Sequence, residues 1–251
     1  MRAKDRELTL GLIKKAREFK KDKLGLSYDE PINIKEALHK LNVLAVFRPM
    51  SKSFSGMALK VDNRKFMLIN SENSIGRQNF TVCHELYHLF IQENFSSMIC
   101  DVGSFNKRKN PTEFKADFFA AQLLMPRFGI IDLIPPDELR EDQITELTLL
   151  RIESHFKCSR KALLHTLKLM NFITEKSFDK FLLNIVHGAQ KYGFDTYLYK
   201  KSDAQRVIGD YNQHAWAAYG NRKISYTKLA NYMLEIGIDI EDSIDENVAS
   251  L

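Results

Sequence analysis

The chain has 251 residues, 44% of them hydrophobic and 27% charged, with a formal net charge of +5. That balance is ordinary for a globular protein and excludes a low-complexity or disordered chain, and a net charge this small does not by itself point to nucleic acid. Three scattered cysteines, Cys83, Cys100 and Cys158, exclude a disulfide framework. The charged N-terminus lacks the apolar core of a secretory signal and no apolar run is long enough to span a bilayer, so a cytoplasmic location is expected.

Leu8, Leu12, Ala16 and Phe19 recur at helical spacing among lysines and arginines, which predicts an amphipathic first helix. Pro31 and Asn33 open a second helix with Ile34, Leu38 and Leu41 on its apolar face. Residues 43–47 read as a buried strand. Residues 56–61 and 65–70 read as a β-hairpin, with Asp62, Asn63 and Arg64 as its turn. A polar loop follows over residues 71–78, and then residues 80–91 carry a helical apolar period. The stretch 93–111, which includes Lys107, Arg108 and Lys109, reads as a loop. Pro111 and Thr112 start a helix that ends before Pro126.

Pro135-Pro136 is the clearest punctuation in the chain. Beyond it Leu147, Leu150, Ile152 and Phe156 form one helical pattern, and Ser159 is placed to cap a second over residues 160–170. Near the end, Ser225 is placed to cap a helix bearing Leu229, Tyr232, Met233 and Ile236. The division that follows is a core over residues 1–134, a helical, winged-helix-like extension over 135–173, and a region over 174–251 with partner recognition as its candidate role.

The chemistry concentrates at His84-Glu85-Leu86-Tyr87-His88. Residues four apart share a helix face, so His84 and His88 can hold one zinc ion through imidazole nitrogen. Glu85, one step round, can reach a zinc-bound water, whose pKa falls to roughly 7 on the metal, without being a ligand. The competing reading is an ordinary amphipathic helix with two partly buried histidines.

A catalytic zinc needs a third protein ligand. Glu113 is the best candidate and Asp117, four residues on along the same helix face, is the alternative. Whichever does not ligate can accept the spare N–H of a ligand histidine and fix its tautomer. His39, His155, His165, His187 and His214 are isolated in sequence; His187 or His214 could supply a transition-state donor only if the C-terminal region folds over the cleft. Cys83 is expected to be a small buried side chain.

The segments RQNFTVCHELYHLF (77–90) and EFKADFFAAQLLMP (113–126) resemble the ImmA/IrrE family of zinc metallopeptidases, and the resemblance extends over about residues 5–170. It implies zinc ligands at His84, His88 and Glu113, a general base at Glu85 and, as in gluzincins, a supporting carboxylate at Asp117. It implies an α+β fold: a small zincin-like core, a short antiparallel sheet with an active-site helix, followed by a helical C-terminal region. It also implies a protein substrate, a helix-turn-helix transcriptional repressor, and an anti-repressor role in a bacterial mobile element or stress response.

Two departures bear on this. Tyr87 stands where many relatives have a small residue, and it is expected to face away from the metal. Many relatives also carry an N-terminal helix-turn-helix domain; the segment before Pro31 is too short for one, so direct nucleic-acid binding is not expected. The strand around residues 56–60, with Gly56 permitting close approach, is a candidate edge for capturing an extended peptide. The alternative function is a non-proteolytic protein that sequesters a repressor around a structural or conditional zinc site; an amidase on small substrates is a third.

Overall fold

The computed structural model describes residues 3–62, 64–93, 95, 97–100, 110–202 and 206–235. Helix α1 (Ala3–Glu18) runs into a π-helical turn, Phe19–Leu24, and is followed by α2 (Ile34–Lys40) and strand β1 (Val43–Arg48). Asn33 caps α2 by accepting from the backbone N–H groups of Lys35 and Glu36, as its sequence position predicts. Strands β2 (Gly56–Val61) and β3 (Arg64–Asn70) form the expected hairpin, with Asp62 at φ 51° in the turn. Helix α3 (Ile75–Phe90) then crosses the core, followed by β4 (Ser97–Cys100) and α4 (Pro111–Leu124).

Among the described residues these strands join a fifth, β5 (Arg206–Ile208), in the order β4-β2-β3-β1-β5. The sheet is mixed, which corrects the expectation of an antiparallel one. β2 runs antiparallel to β3 and β4, and β5 antiparallel to β1, but β1 pairs with β3 in parallel from Val43↔Lys65 to Arg48↔Asn70. The cause is topological: the tight β2–β3 turn folds β3 back into the position beside β1 that β2 would otherwise take.

Helix α3 begins five residues earlier than the sequence suggests, inside the stretch read as a polar loop. Gly76 explains the misreading. It weakens the helical pattern, yet a Cβ there would stand 2.9 Å from the backbone of Cys158 and Ser159, so only glycine lets the first turn of α3 pack this closely. Gln78 is buried and satisfied, donating to the carbonyls of Ser71 and Asn73.

Beyond α4 lie α5 (Arg127–Leu133), α6 (Glu146–Phe156) and α7 (Arg160–Leu169), capped by Thr145 and Ser159 in the last two cases. Residues 135–173 contain helices and turns and no strand, so the extension has no wing. One cluster of buried side chains runs from Leu12 through Ile134, Ile144 and Leu164 to Phe178 and Ile208, across Pro135-Pro136. Helices α8 (Glu175–Phe181), α9 (Ile185–Lys191), α10 (Tyr211–Gly220) and α11 (Tyr226–Glu235) complete the described chain. Ser225 caps α11 as expected, by accepting from the Lys228 N–H; Ile236 and the 107–109 basic cluster lie outside the described residues. None of the helices described is long and apolar enough to cross a membrane.

The region after residue 173 is tied to the active helix. The Ile75 N–H donates to the Lys200 carbonyl, Ser202 Oγ donates to Gln78 Oε1, and Lys201 pairs with Glu72. Tyr199 donates to Glu153 Oε2 at 2.6 Å, and Glu153 holds Arg160 through bonds of 2.5 and 3.0 Å. Arg160 also donates to the Phe181 carbonyl, so one buried ion pair joins α6, α7 and the end of α8. Removing one partner of such a pair leaves a buried charge uncompensated. Glu153→Ala is therefore expected to destabilise the fold by roughly 3–5 kcal/mol, measured as a lowered urea midpoint; a change below about 1 kcal/mol would show that water reaches Arg160 freely.

Candidate metal centre

Helix α3 is buried on nearly every side, with Phe80, Val82, Leu86 and Leu89 in the core. Its polar residues His84, Glu85 and His88 are also fully buried. Burial of such groups is costly unless each has a partner, so their surroundings account for them one by one.

His84 and His88 lie on one face, as the i,i+4 spacing requires, with their Nε2 atoms 3.1 Å apart. His84 Nδ1 is 2.9 Å from Asp117 Oδ1, and His88 Nδ1 is 2.5 Å from Gln92 Oε1. Both partners are acceptors, so the protons belong on Nδ1 and both Nε2 atoms present lone pairs. Burial, together with the neighbouring His84, lowers the pKa of His88 to about 4. At neutral pH its ring is uncharged and available as a ligand. Phe95 stacks on the same ring at 5.5 Å between centroids.

Helix α4 brings the carboxylates. Asn110 caps it by accepting from the Thr112 and Glu113 N–H groups, and Pro111 occupies the first turn, where no N–H is needed. That cap sets Glu113 in the first turn, facing α3. Its Oε2 lies 3.1 Å from His84 Nε2 and its Oε1 3.5 Å from His88 Nε2. Asp117, one turn on, sits behind His84 instead. The structure thus separates the two acids that sequence spacing leaves interchangeable: Glu113 joins the histidines and Asp117 supports one of them.

His84, His88 and Glu113 are the one group among the described residues whose ligand atoms gather closely enough to hold a metal, all within 4.8 Å of one another. Two tests favour a cation. Ligands about 2.05 Å from a tetrahedral zinc stand about 3.3 Å apart, close to the 3.1 Å between the two Nε2 atoms and the 3.1 Å from Glu113 Oε2 to His84 Nε2, while Glu113 approaches His88 through its other oxygen at 3.5 Å. Both Glu113 oxygens are also buried and accept no hydrogen bond, and they face nitrogen lone pairs. A positive ion resolves that arrangement; no proton donor within it does.

The remaining sequence candidates sort plainly. Tyr87 packs its ring on Phe119 and edge-on to His88, at 5.6 and 5.5 Å, so it braces the histidine from the core side. Cys83 is buried and its thiol is pushed up to about 12 by burial, which makes it inert. His39, His155 and His187 are exposed, His165 packs on Phe178, and His214 pairs with Asp210 at the surface. None of these belongs to the metal group. Gln92 was missed by sequence reasoning. Its signal was available, since it continues the 84–88 spacing by four more residues, but it lies past the end of α3.

The peptide-capture reading of β2 needs correction. β2 is an inner strand, flanked by β3 and by β4, with Gly56 opposite Ile69 on one side and Cys100 on the other. Its backbone edge is already used. The close approach expected at Gly56 is present, but toward α3 rather than toward a ligand.

The IrrE N-terminal-like domain of peptidase family M78 matches residues 39–168, just over half of the chain. The chain belongs to the M78 peptidase family. The match runs from the end of α2 to α7 and takes in the whole metal group and its two acidic neighbours, so the activity of this M78 protein is of the metallopeptidase type. No curated protein matches the chain at a significant level. Residues 174–235, which brace the N-terminus of α3, lie outside the region matched.

Residues that orient metal-binding histidines affect affinity about 10–100-fold. Asp117→Ala and Gln92→Ala are each expected to weaken zinc binding within that range, read by competition with a chromogenic chelator. Affinity unchanged in both would mean that the two Nδ1 contacts play no part in holding the rings.

Proposed function

We propose that this M78 protein is a zinc-dependent endopeptidase that hydrolyses a peptide bond in a specific protein partner, a DNA-binding repressor, and so relieves repression in the cytoplasm. The observation that carries the reading is the convergence of His84 Nε2, His88 Nε2 and a Glu113 carboxylate with two orphaned oxygens, beside a buried Glu85. A site built only to hold metal has no use for that additional carboxylate. The repressor as substrate is supported by the resemblance of the 77–90 and 113–126 segments to the ImmA/IrrE peptidases.

A zinc ion in this position supplies a Lewis acid that lowers the pKa of water to roughly 7. The protein's own residues do the rest. Glu85 takes the proton of the attacking water on its carboxylate and returns it to the leaving amine. Asp117 holds His84, and Gln92 holds His88, in the tautomer that leaves Nε2 unprotonated. Low polarity around the site strengthens each of these charge interactions relative to bulk water. An extended substrate would add to the outer edge of β4, the terminal strand on this side of the sheet among the described residues.

Glu85→Gln keeps the size of the side chain and removes its basicity. It is expected to retain about one zinc per chain while cleavage of a helix-turn-helix repressor encoded nearby falls at least about 100-fold, followed by gel electrophoresis of the repressor. Chelator treatment should abolish cleavage and added zinc restore it. If the Glu85→Gln protein still relieves repression in cells as well as the wild type, the protein acts by sequestration and not by hydrolysis.

A further inference from the structure

Gly56 opens β2 and is buried directly against the active helix. A Cβ built on its backbone would stand 2.7 Å from Glu85 Oε1 and 2.6 Å from Thr81 Cγ2, well inside the 3.4 Å at which ordinary contacts begin. Thr81 and Glu85 lie one turn apart on α3 and both are fully buried, so neither can swing aside into solvent.

Nothing in the backbone of Gly56 calls for glycine. It is not among the residues with positive φ, and it has ordinary extended pairing. Within a strand glycine weakens the structure, because it offers no side chain to pack and loses more freedom on folding. The requirement is therefore for space. The strand cannot supply that space by retreating, since β3 and β4 hold it on both sides. Just before it, the Asn70 N–H donates to the Ser55 carbonyl, and Arg77 of α3 donates to Ser55 Oγ at 2.8 Å. β2 and α3 are thus clamped together one turn before Thr81.

We propose that Gly56 is a positioning residue for Glu85: the missing side chain is the niche that sets where the carboxylate lies. This rests on the reading of Glu85 as the base. A proton acceptor works only within hydrogen-bond reach of the proton it takes, so the wall behind it decides whether it is in reach. Any side chain at residue 56 would push the carboxylate away from the strand, to a place fixed by the new contact and not by the metal group.

The test uses three variants of the full chain: Gly56→Ala, Thr81→Ser and the double variant. Thr81→Ser removes the methyl group that a new Cβ would strike first, and it keeps the hydroxyl that donates to the Arg77 carbonyl. The double variant therefore removes the clash with Thr81 that would burden Gly56→Ala alone, and it isolates the contact with Glu85. Crystal structures are expected to show Glu85 unmoved in Thr81→Ser. In the double variant its carboxylate should be displaced by about 0.7 Å or more, the difference between 2.7 and 3.4 Å. With denatured casein as a sequence-tolerant probe, kcat should fall about tenfold to a hundredfold in the double variant, with KM and bound zinc unchanged. A double variant with Glu85 at its wild-type place, or with wild-type kcat, overturns the proposal and leaves Gly56 as packing against the Thr81 methyl group. Wild-type kcat in Glu85→Gln would instead overturn the base assignment; the crystallographic displacement would still decide whether Gly56 sets the carboxylate's position.

Discussion

Everything in the centre of this protein depends on the contact between α3 and α4, where two nitrogen lone pairs and a carboxylate meet with no proton between them. In a buried place that meeting is unfavourable without a cation, and nothing within the group relieves it. It has to be imposed by the surrounding structure. The apolar side of α4, with Phe119, Ala120 and Leu123 in the core, presses the two helices together, and the bond from His84 to Asp117 fixes their rotation. The packing of the apolar core is thus what holds this set of ligand atoms together. Two imidazole nitrogens and a carboxylate oxygen are a donor set suited to a divalent metal ion.

The same logic extends outward from the site. The histidines cannot be placed correctly unless α3 is, and the N-terminal turn of α3 is held by distant parts of the chain. Gly76 seats its first turn on the backbone at Cys158 and Ser159, while the Lys200 carbonyl, Ser202 and Gln78 tie that turn to the C-terminal region. Tyr199 reaches the buried Glu153–Arg160 pair from the same stretch. The chain beyond the family match is accordingly part of the frame of the metal centre, and β5 adds to the sheet beside β1. Trp216, Tyr219 and Tyr226 are exposed on the α10–α11 pair.

Much of the site was legible because its chemistry is written in local spacing. His84 with His88, and Glu113 with Asp117, are relations within single helices, and the helical period puts each pair on one face whatever the rest of the chain does. Caps are equally local, which is why Asn33, Ser159 and Ser225 were readable. The failures are of another kind. The start of α3 was missed because Gly76 and Gln78 look like loop residues until their burial is known. The parallel pairing of β1 with β3 was missed because strand order is not encoded within any one strand. Most of the short elements after residue 173 lack a sustained apolar period, since each buries only one or two side chains; α11, whose Leu229 and Met233 pack with Ala215 in a small cluster of their own, is the one that was readable.

By itself the sequence determined which residues could form a metal site and on which helices they would stand, because side-chain type and helical period suffice for that. Only the tertiary structure decided that Glu113 and not Asp117 faces the histidines, that Gln92 completes the support of His88, and that β2 is an inner strand whose glycine faces Glu85. These are matters of rotation and register between elements distant in the chain. They are set by long-range packing of the whole core, which no local pattern contains.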